Sequence, residues 1–354
     1  EAIPEDLRNK IYSGKDTMIL VTLKDSMSSD ASIETIEKLR DITGTQCKVS
    51  GITAGLLDTR DLSESEVAIY VIIAVILCLI VLQLALDSYF APILLLSNIG
   101  IAILYNMGTN IFLGEISYIT KAISAVLQLG VTMDFTIFLY HSYLQEKEKG
   151  KNKDEAMANA ISSTMTSVLG SATTTIAGFL ALCSMRLTLG RDIGIVMAKG
   201  VLFGLICVIT ILPALILAFD KLIEKTRHKP LLPKFKHLRD FNIKHYKAIL
   251  VVFVIMIPFA VWGYNHVNVY YNLDSSLPDK LLSVQANKEL KDKYGIVTTD
   301  LLLVDKNMPQ YKVEEMLDKI NKLDGVSWSL SYSSLTGTDV PVDALPNDIK
   351  DIFI

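Results

Sequence analysis

Cysteine is too sparse in this chain to build a scaffold. Four occur in 354 residues, at positions 47, 78, 183 and 207, and the last three sit inside apolar runs. Their spacing excludes a C-x-x-C metal clip and leaves no disulfide framework. A cysteine in an apolar run acts as a small packing residue. The sequence also lacks a Walker A loop, which removes ATP as the energy source for this chain. No Ser/His/Asp order and no cluster of metal ligands stands out, so nothing points to an enzyme, a cofactor or a metal. Charge is thin as well, at 20% against about 25% in ordinary soluble chains. No signal peptide is visible and the first residue is Glu1, which predicts that the natural N-terminus lies further upstream.

What the chain does have is long uncharged runs. Val67–Leu86 holds twenty residues without a charge. At 1.5 Å per residue that crosses about 30 Å of hydrocarbon. Four more runs follow at about Phe90–Leu113, Ala122–Leu144, Thr166–Met185 and Ile193–Phe219, and a sixth at Ala248–Tyr264. Pro92, Pro213 and Pro258 fall within them, which membrane helices tolerate better than soluble ones. Composition alone hides this, with 51% hydrophobic residues and a mean hydropathy of +0.39.

These runs divide the chain into a soluble 1–64, five helices over 65–219, a connector at 220–247, a helix at 248–266 and a soluble 267–354. In the first soluble part, Thr17–Leu23 and Gln46–Ile52 read as strands and Ser32–Arg40 as helix. The last part reads as helix (Leu282–Lys293), strand (Val297–Val304), helix (Val313–Leu323) and a β-like Val326–Ser331. Loop charge sets the orientation. The connector 220–247 carries nine Lys/Arg against three acids, and 145–155 carries four lysines. Such loops belong on the cytoplasmic side. Residues 1–66 hold eight Lys/Arg against thirteen acids, and 267–354 hold nine against fourteen, so both suit the outer face. Five crossings then end inside and the sixth returns outside. This order predicts a missing first helix and the start of an internal duplication, in a multi-pass plasma-membrane protein. The basic connector lies against a bilayer, where anionic lipid, not nucleic acid, is the natural partner.

The strongest single residue is Asp134 in LQLGVTMDFTIFLYH. Twelve residues separate it from Lys121 and ten from Gln145, which puts it near the bilayer midplane. An acid there is costly unless paired, hydrated or protonated, and such residues mark pathways or proton relays by default. Lys199 is the other charge well inside a span. It either neutralises Asp134 or, lying nearer the outer face, snorkels outward. Thr173, Thr174 and Thr175 stand mid-run, able to relay protons or to bond their own backbone. Gly190/Gly194 and Gly200/Gly204 form two small-xxx-small patterns, the signature of close helix packing. His141 lies seven residues past Asp134, near the inner interface.

The stretch GEISYITKAISAVLQLGVTMDFTIFLYHSYLQEKEKG, with SATTTIAGFLAL and DIGIVMAKGVLFGLICVITILPALIL, resembles the resistance–nodulation–division (RND) superfamily in its MmpL-like branch. The likeness extends through LDSSLPDKLLSVQANKELKDKYG. It implies twelve helices in two repeats, outer porter domains of ferredoxin-like α/β subdomains, and proton-driven export of lipids or other hydrophobic molecules. The fold class expected is thus a membrane α-helical bundle carrying extracytoplasmic α/β domains. The family's helix-four acid maps onto Asp134. Many members have Asp-Tyr there; this chain has Asp134–Phe135, which removes the hydroxyl. The implied relay is Asp134, with Thr174 or Thr175 assisting and Lys199 as a counter-charge. The implied partners are protons, membrane lipids, a hydrophobic substrate, the second repeat and possible further copies of the chain. Two other readings stay open: a lipid- or sterol-sensing receptor on the same fold, and an accessory subunit of protein translocation.

Overall fold

The computed structural model describes residues 12–13, 16–229, 236–268, 277–305 and 308–329. Among the described residues ten α-helices follow a minimal hairpin of β1 (Tyr12–Ser13) and β2 (Asp16–Thr17). They are α1 (Asp30–Thr43), α2 (Ile52–Ala85), α3 (Ala91–Gly108), α4 (Tyr118–Glu148), α5 (Lys153–Leu182), α6 (Thr188–Ala218), α7 (Asp220–Lys225), α8 (Lys236–His266), α9 (Leu282–Tyr294) and α10 (Gln310–Asn321). A 3-10 turn, Thr109–Leu113, extends α3. Six of these helices, α2 to α6 and α8, are long and apolar enough to cross a membrane.

The helices outrun the apolar runs because capping and polar turns prolong them. Ser117 caps α4 by accepting from the Ile119 amide. Asn152 caps α5 by accepting from the Glu155 amide at 2.8 Å, ahead of Asp154 and Glu155 in the first turn. Pro92 sits in the first turn of α3, where its missing N–H costs nothing. Pro213 and Pro258 lie inside α6 and α8.

Contacts divide the chain into two units, residues 1–59 with 270–354, and residues 60–269. The first unit joins two segments far apart in sequence. Its apolar core holds Ile33, Ile36, Ala54 and Leu57, with Leu23, Leu39 and Val49 against it. Asp58 ties the segments together: one carboxylate oxygen takes Arg40 Nη1 at 2.6 Å, and the other takes the Ser283 amide at 2.8 Å, at the start of α9. Lys48 pairs with Glu289, Ser50 bonds Asn287, and Lys293 meets Asp16 at 2.6 Å. The hydrogen bond from Lys48 holds the Glu289 carboxyl below its ordinary range.

Three expected helices form as α1, α9 and α10, but the expected strands do not. Residues 18–23, 46–50 and 297–304 carry no ladder, and β1–β2 is the one paired hairpin among the described residues. Alternating β-branched residues fit a pleated surface only when a neighbouring strand supplies bonds. Here Ile19, Leu20, Leu301 and Leu303 stand exposed without one. The expected β-like 326–331 runs out of the described residues at 330.

In the second unit α3, α4, α5 and α6 pack around one core, with Leu95, Ile99, Tyr140, Val201, Val208 and Leu212 deeply buried. The faces left open differ in kind. α2 presents Ile72, Ile73, Ile76, Leu77, Ile80 and Val81, a surface suited to lipid tails. α5 instead presents Ser167, Gly170, Ser171, Thr173, Thr174 and Gly178. Small and hydroxyl residues on a membrane helix mark contact with another helix.

Candidate functional site

Asp134 projects from the middle of α4 on the open side of the unit. Its neighbours Met133 and Phe135 turn inward and are buried. Phe135 therefore contributes packing where a tyrosine would also bring a hydroxyl. Among the described residues Asp134 makes no hydrogen bond and no ion pair. Carboxylates at the ends of the spans are engaged. Asp192 accepts from the Ser117 amide at 2.7 Å and from Thr120 Oγ1 at 2.6 Å, closing the start of α4.

Lys199 lies elsewhere. Its Nζ donates to the Asn106 carbonyl (3.0 Å), Thr109 Oγ1 (3.0 Å) and Asn110 Oδ1 (2.5 Å). All three belong to the end of α3 and the turn after it, where unpaired carbonyls and the negative end of the helix dipole favour a cation. Of the two readings left open for Lys199, the geometry matches a side chain reaching toward a helix end. It does not meet Asp134.

The threonines of α5 bond their own helix. Thr174 Oγ1 donates to the carbonyls of Gly170 (3.1 Å) and Ser171 (2.8 Å), and Thr175 Oγ1 to that of Ser171 (2.9 Å). Thr174 is exposed and Thr175 half-buried. No bond joins either to Asp134. His141 is exposed near the end of α4.

The four glycines mark close contacts along α6. A β-carbon on Gly194 would lie 2.6 Å from the Phe179 carbonyl of α5, and one on Gly190 would lie 2.7 Å from Met185 Sδ. On Gly200 it would meet Asn106 Nδ2 at 2.6 Å and Gln128 Oε1 at 2.9 Å, and on Gly204 it would meet Thr132 Oγ1 at 2.6 Å.

Those last contacts expose a feature the sequence reading passed over. Thr120, Ser124, Gln128, Thr132 and Thr136, every fourth residue of α4, are all fully buried. They form a polar seam on the side of the helix turned into the bundle. Asn106 Nδ2 donates to Gln128 Oε1 (2.8 Å), and Gln128 Nε2 donates to the Gly200 carbonyl (3.0 Å), linking α3, α4 and α6. Membrane interhelical bonds of this kind contribute about 0.6 kcal/mol each on average.

The seam ends on an ionic cluster at the far end of α4. Buried Asp220 accepts from Tyr143 Oη (2.6 Å) and from Lys147 Nζ (2.8 Å), which also reaches Glu224 at 2.5 Å. Arg227 pairs with Asp87 at 2.9 Å and Glu148 at 3.3 Å. A cavity of about 30 Å³ opens between Asp87, Tyr140, Lys147, Asp220 and Arg227. Sequence signals for the seam existed in the four-residue spacing. For the cluster none did, since Asp87 and Arg227 lie 140 positions apart. The described residues contain no group of three or more potential metal ligands.

Comparison with known proteins agrees with this architecture. A profile of the MMPL family matches residues 12–231. The putative membrane protein MJ1562 of Methanocaldococcus jannaschii is 28% identical over 244 residues, covering 66% of this chain and 61% of its own length. The putative membrane protein ActII-3 of Streptomyces coelicolor is 32% identical over 152 residues, or 40% of this chain and 21% of that protein. The siderophore exporter MmpL5 of Mycobacterium tuberculosis is 23% identical over 229 residues, or 60% of this chain and 24% of that protein. The chain thus spans under two thirds of the length of each of these relatives. The six apolar helices, the α3–α6 core and a match over most of the chain make it a multi-pass membrane protein of the MMPL family.

Proposed function

We propose that this chain is part of a proton-driven exporter of lipids or other hydrophobic molecules, with Asp134 as the group that takes up and releases the proton. One observation carries the reading: Asp134 is a carboxylate at mid-span, set on an open helix face and without a protein partner among the described residues. An acid in a membrane span is costly unless it is paired, hydrated or protonated, and such residues mark proton relays by default. Inward movement of one proton across about 100 mV releases about 2.3 kcal/mol. Thr174 and Thr175 would offer oxygens on the open face of α5. Lys199 takes a different part, holding the end of α3. A siderophore exporter among the relatives supports export, and the hydroxyl-rich face of α5 favours cover by further helices of the same protein, as a second repeat would supply. The soluble unit would then be the nucleus of an outer porter domain, its ferredoxin-like strands completed by chain not paired here.

Asp134→Asn keeps the volume and hydrogen bonding but cannot exchange the proton. We expect normal membrane abundance of the full-length protein, with substrate export and proton uptake both abolished, and partial activity for Asp134→Glu. Substantial export by the Asn variant at matched expression would remove Asp134 as the carrier.

A further inference from the structure

The polar seam of α4 runs further than its bonded section. Thr120, Ser124, Gln128, Thr132, Thr136 and Tyr140 recur every fourth residue, and all six are fully buried. The line follows most of the helix on its interior side. At one end Thr120 bonds Asp192 at 2.6 Å. At the other the Tyr140 hydroxyl lies 3.5 Å from Asp87, beside the cavity of about 30 Å³. One water needs about 10–15 Å³, so that cavity has room for it.

Between these ends, four buried polar atoms have no hydrogen-bond partner among the described residues. They are both amide atoms of Asn98, Oδ1 of Asn106 and Oγ1 of Thr132. All three residues are fully buried. A polar atom is costly to bury unpaired, so folded proteins give such atoms a side chain, a backbone group or ordered water. The spacing suits water. Asp87, just before α3, meets Tyr140 late in α4, and Asn106, late in α3, meets Gln128, so the two helices run antiparallel. Thr132 then lies about 6 Å beyond Gln128, and Asn98, about 12 Å back along α3, comes level with Thr136. A water bonded at about 2.8 Å on each side spans about 5.5 Å, one helical turn.

We infer that the seam between α3, α4 and α6 binds a file of ordered water, anchored on Asn98, Asn106 and Thr132 and filled from the cavity at Asp87 and Arg227. α4 is then wetted on the side turned away from Asp134. The inference is independent of the transport reading and stands even if Asp134 carries no proton.

The test uses full-length protein in nanodiscs and microsecond X-ray pulses, which split water where it is bound and oxidise the side chains it touches. Met197, fully buried on α6 about one turn from Gly200, is the reporter. Met197 should be oxidised although bulk solvent does not reach it. Its oxidation should fall several-fold in Asn98→Leu with Thr132→Val, which keep the shapes and remove the polar atoms. Thr132→Ser should leave it unchanged. If the double variant does not reach the membrane, Thr132→Val against Thr132→Ser gives the same comparison. The thermal midpoint is a second measure. Removing atoms that water satisfies should lower it, whereas removing atoms buried dry should raise it. An inert Met197 in the wild type, undiminished oxidation in the valine variants, or a raised midpoint would each overturn the water file.

Discussion

Lys199 and Asp134 show how two charges inside spans come to differ in kind. The lysine spends its three protons on oxygens at one helix end, while the carboxylate stands without a partner among the described residues. Lys199→Met would remove a charged donor from three acceptors at once, and hydrogen bonds to charged groups contribute about 1.5–3 kcal/mol. We expect a clear fall in thermal stability in detergent. Lys199→Arg should recover part of it. The pH dependence of transport should stay where it is in both variants, since neither touches Asp134. A shifted pH profile in Lys199→Met would instead restore the lysine as counter-charge.

At the level of the helix, α4 has two polar sides with different duties: a buried seam fastened to α3 and α6, and the open side that carries Asp134. One tight point of the seam is the notch at Gly204, which accommodates Thr132. Gly204→Ala should destabilise the bundle by about 1–3 kcal/mol, because overpacking displaces Thr132 or the helix. In a Thr132→Ala background the same change should cost much less, as neighbours that share a contact do not add. Additive losses in a thermal unfolding cycle would show that the notch does not set the packing. The existence of α4 was plain in the sequence, because a 23-residue run between polar ends leaves few alternatives. Its seam was harder to see, since serine and threonine in an apolar run are compatible with many orientations, and only the neighbours Gly200 and Gly204 decide which way they face. The strands expected at 17–23, of which only Thr17 pairs, and at 297–304 misled for the opposite reason. Their composition suits a sheet, but a sheet is a property of pairs of segments.

For the molecule as a whole, the distribution of lysine and arginine predicts which parts share a compartment. Cys47 is exposed and free in the first unit, so it offers a natural probe. It should react with a membrane-impermeant maleimide in intact cells. A Cys47→Ser variant carrying Asn242→Cys should react only after permeabilisation. Labelling of residue 242 from outside would invert the orientation. The apolar runs announced the six candidate spans among the described residues. They were silent on the union of residues 1–59 with 270–354, which depends on Asp58 finding Ser283 across 225 positions.

The hydroxyl-rich exterior of α5 also bears on how the protein is made. A nascent helix leaves the insertion machinery on its own merits or in company. α2, with its faces of isoleucine and valine, has every reason to partition into lipid as soon as it emerges. α5 exposes serines, threonines and glycines to whatever surrounds it, and its least polar stretch is the weakest of the six. It is therefore a poor candidate for solitary release. It would wait beside the translocation pore until α6 is synthesised and their glycine-lined contact at Gly194 can form. The order of assembly, in this view, is written into the chain as a difference in lipid solubility between helices: α2, which settles alone, and α5, which enters the bilayer only as half of a pair.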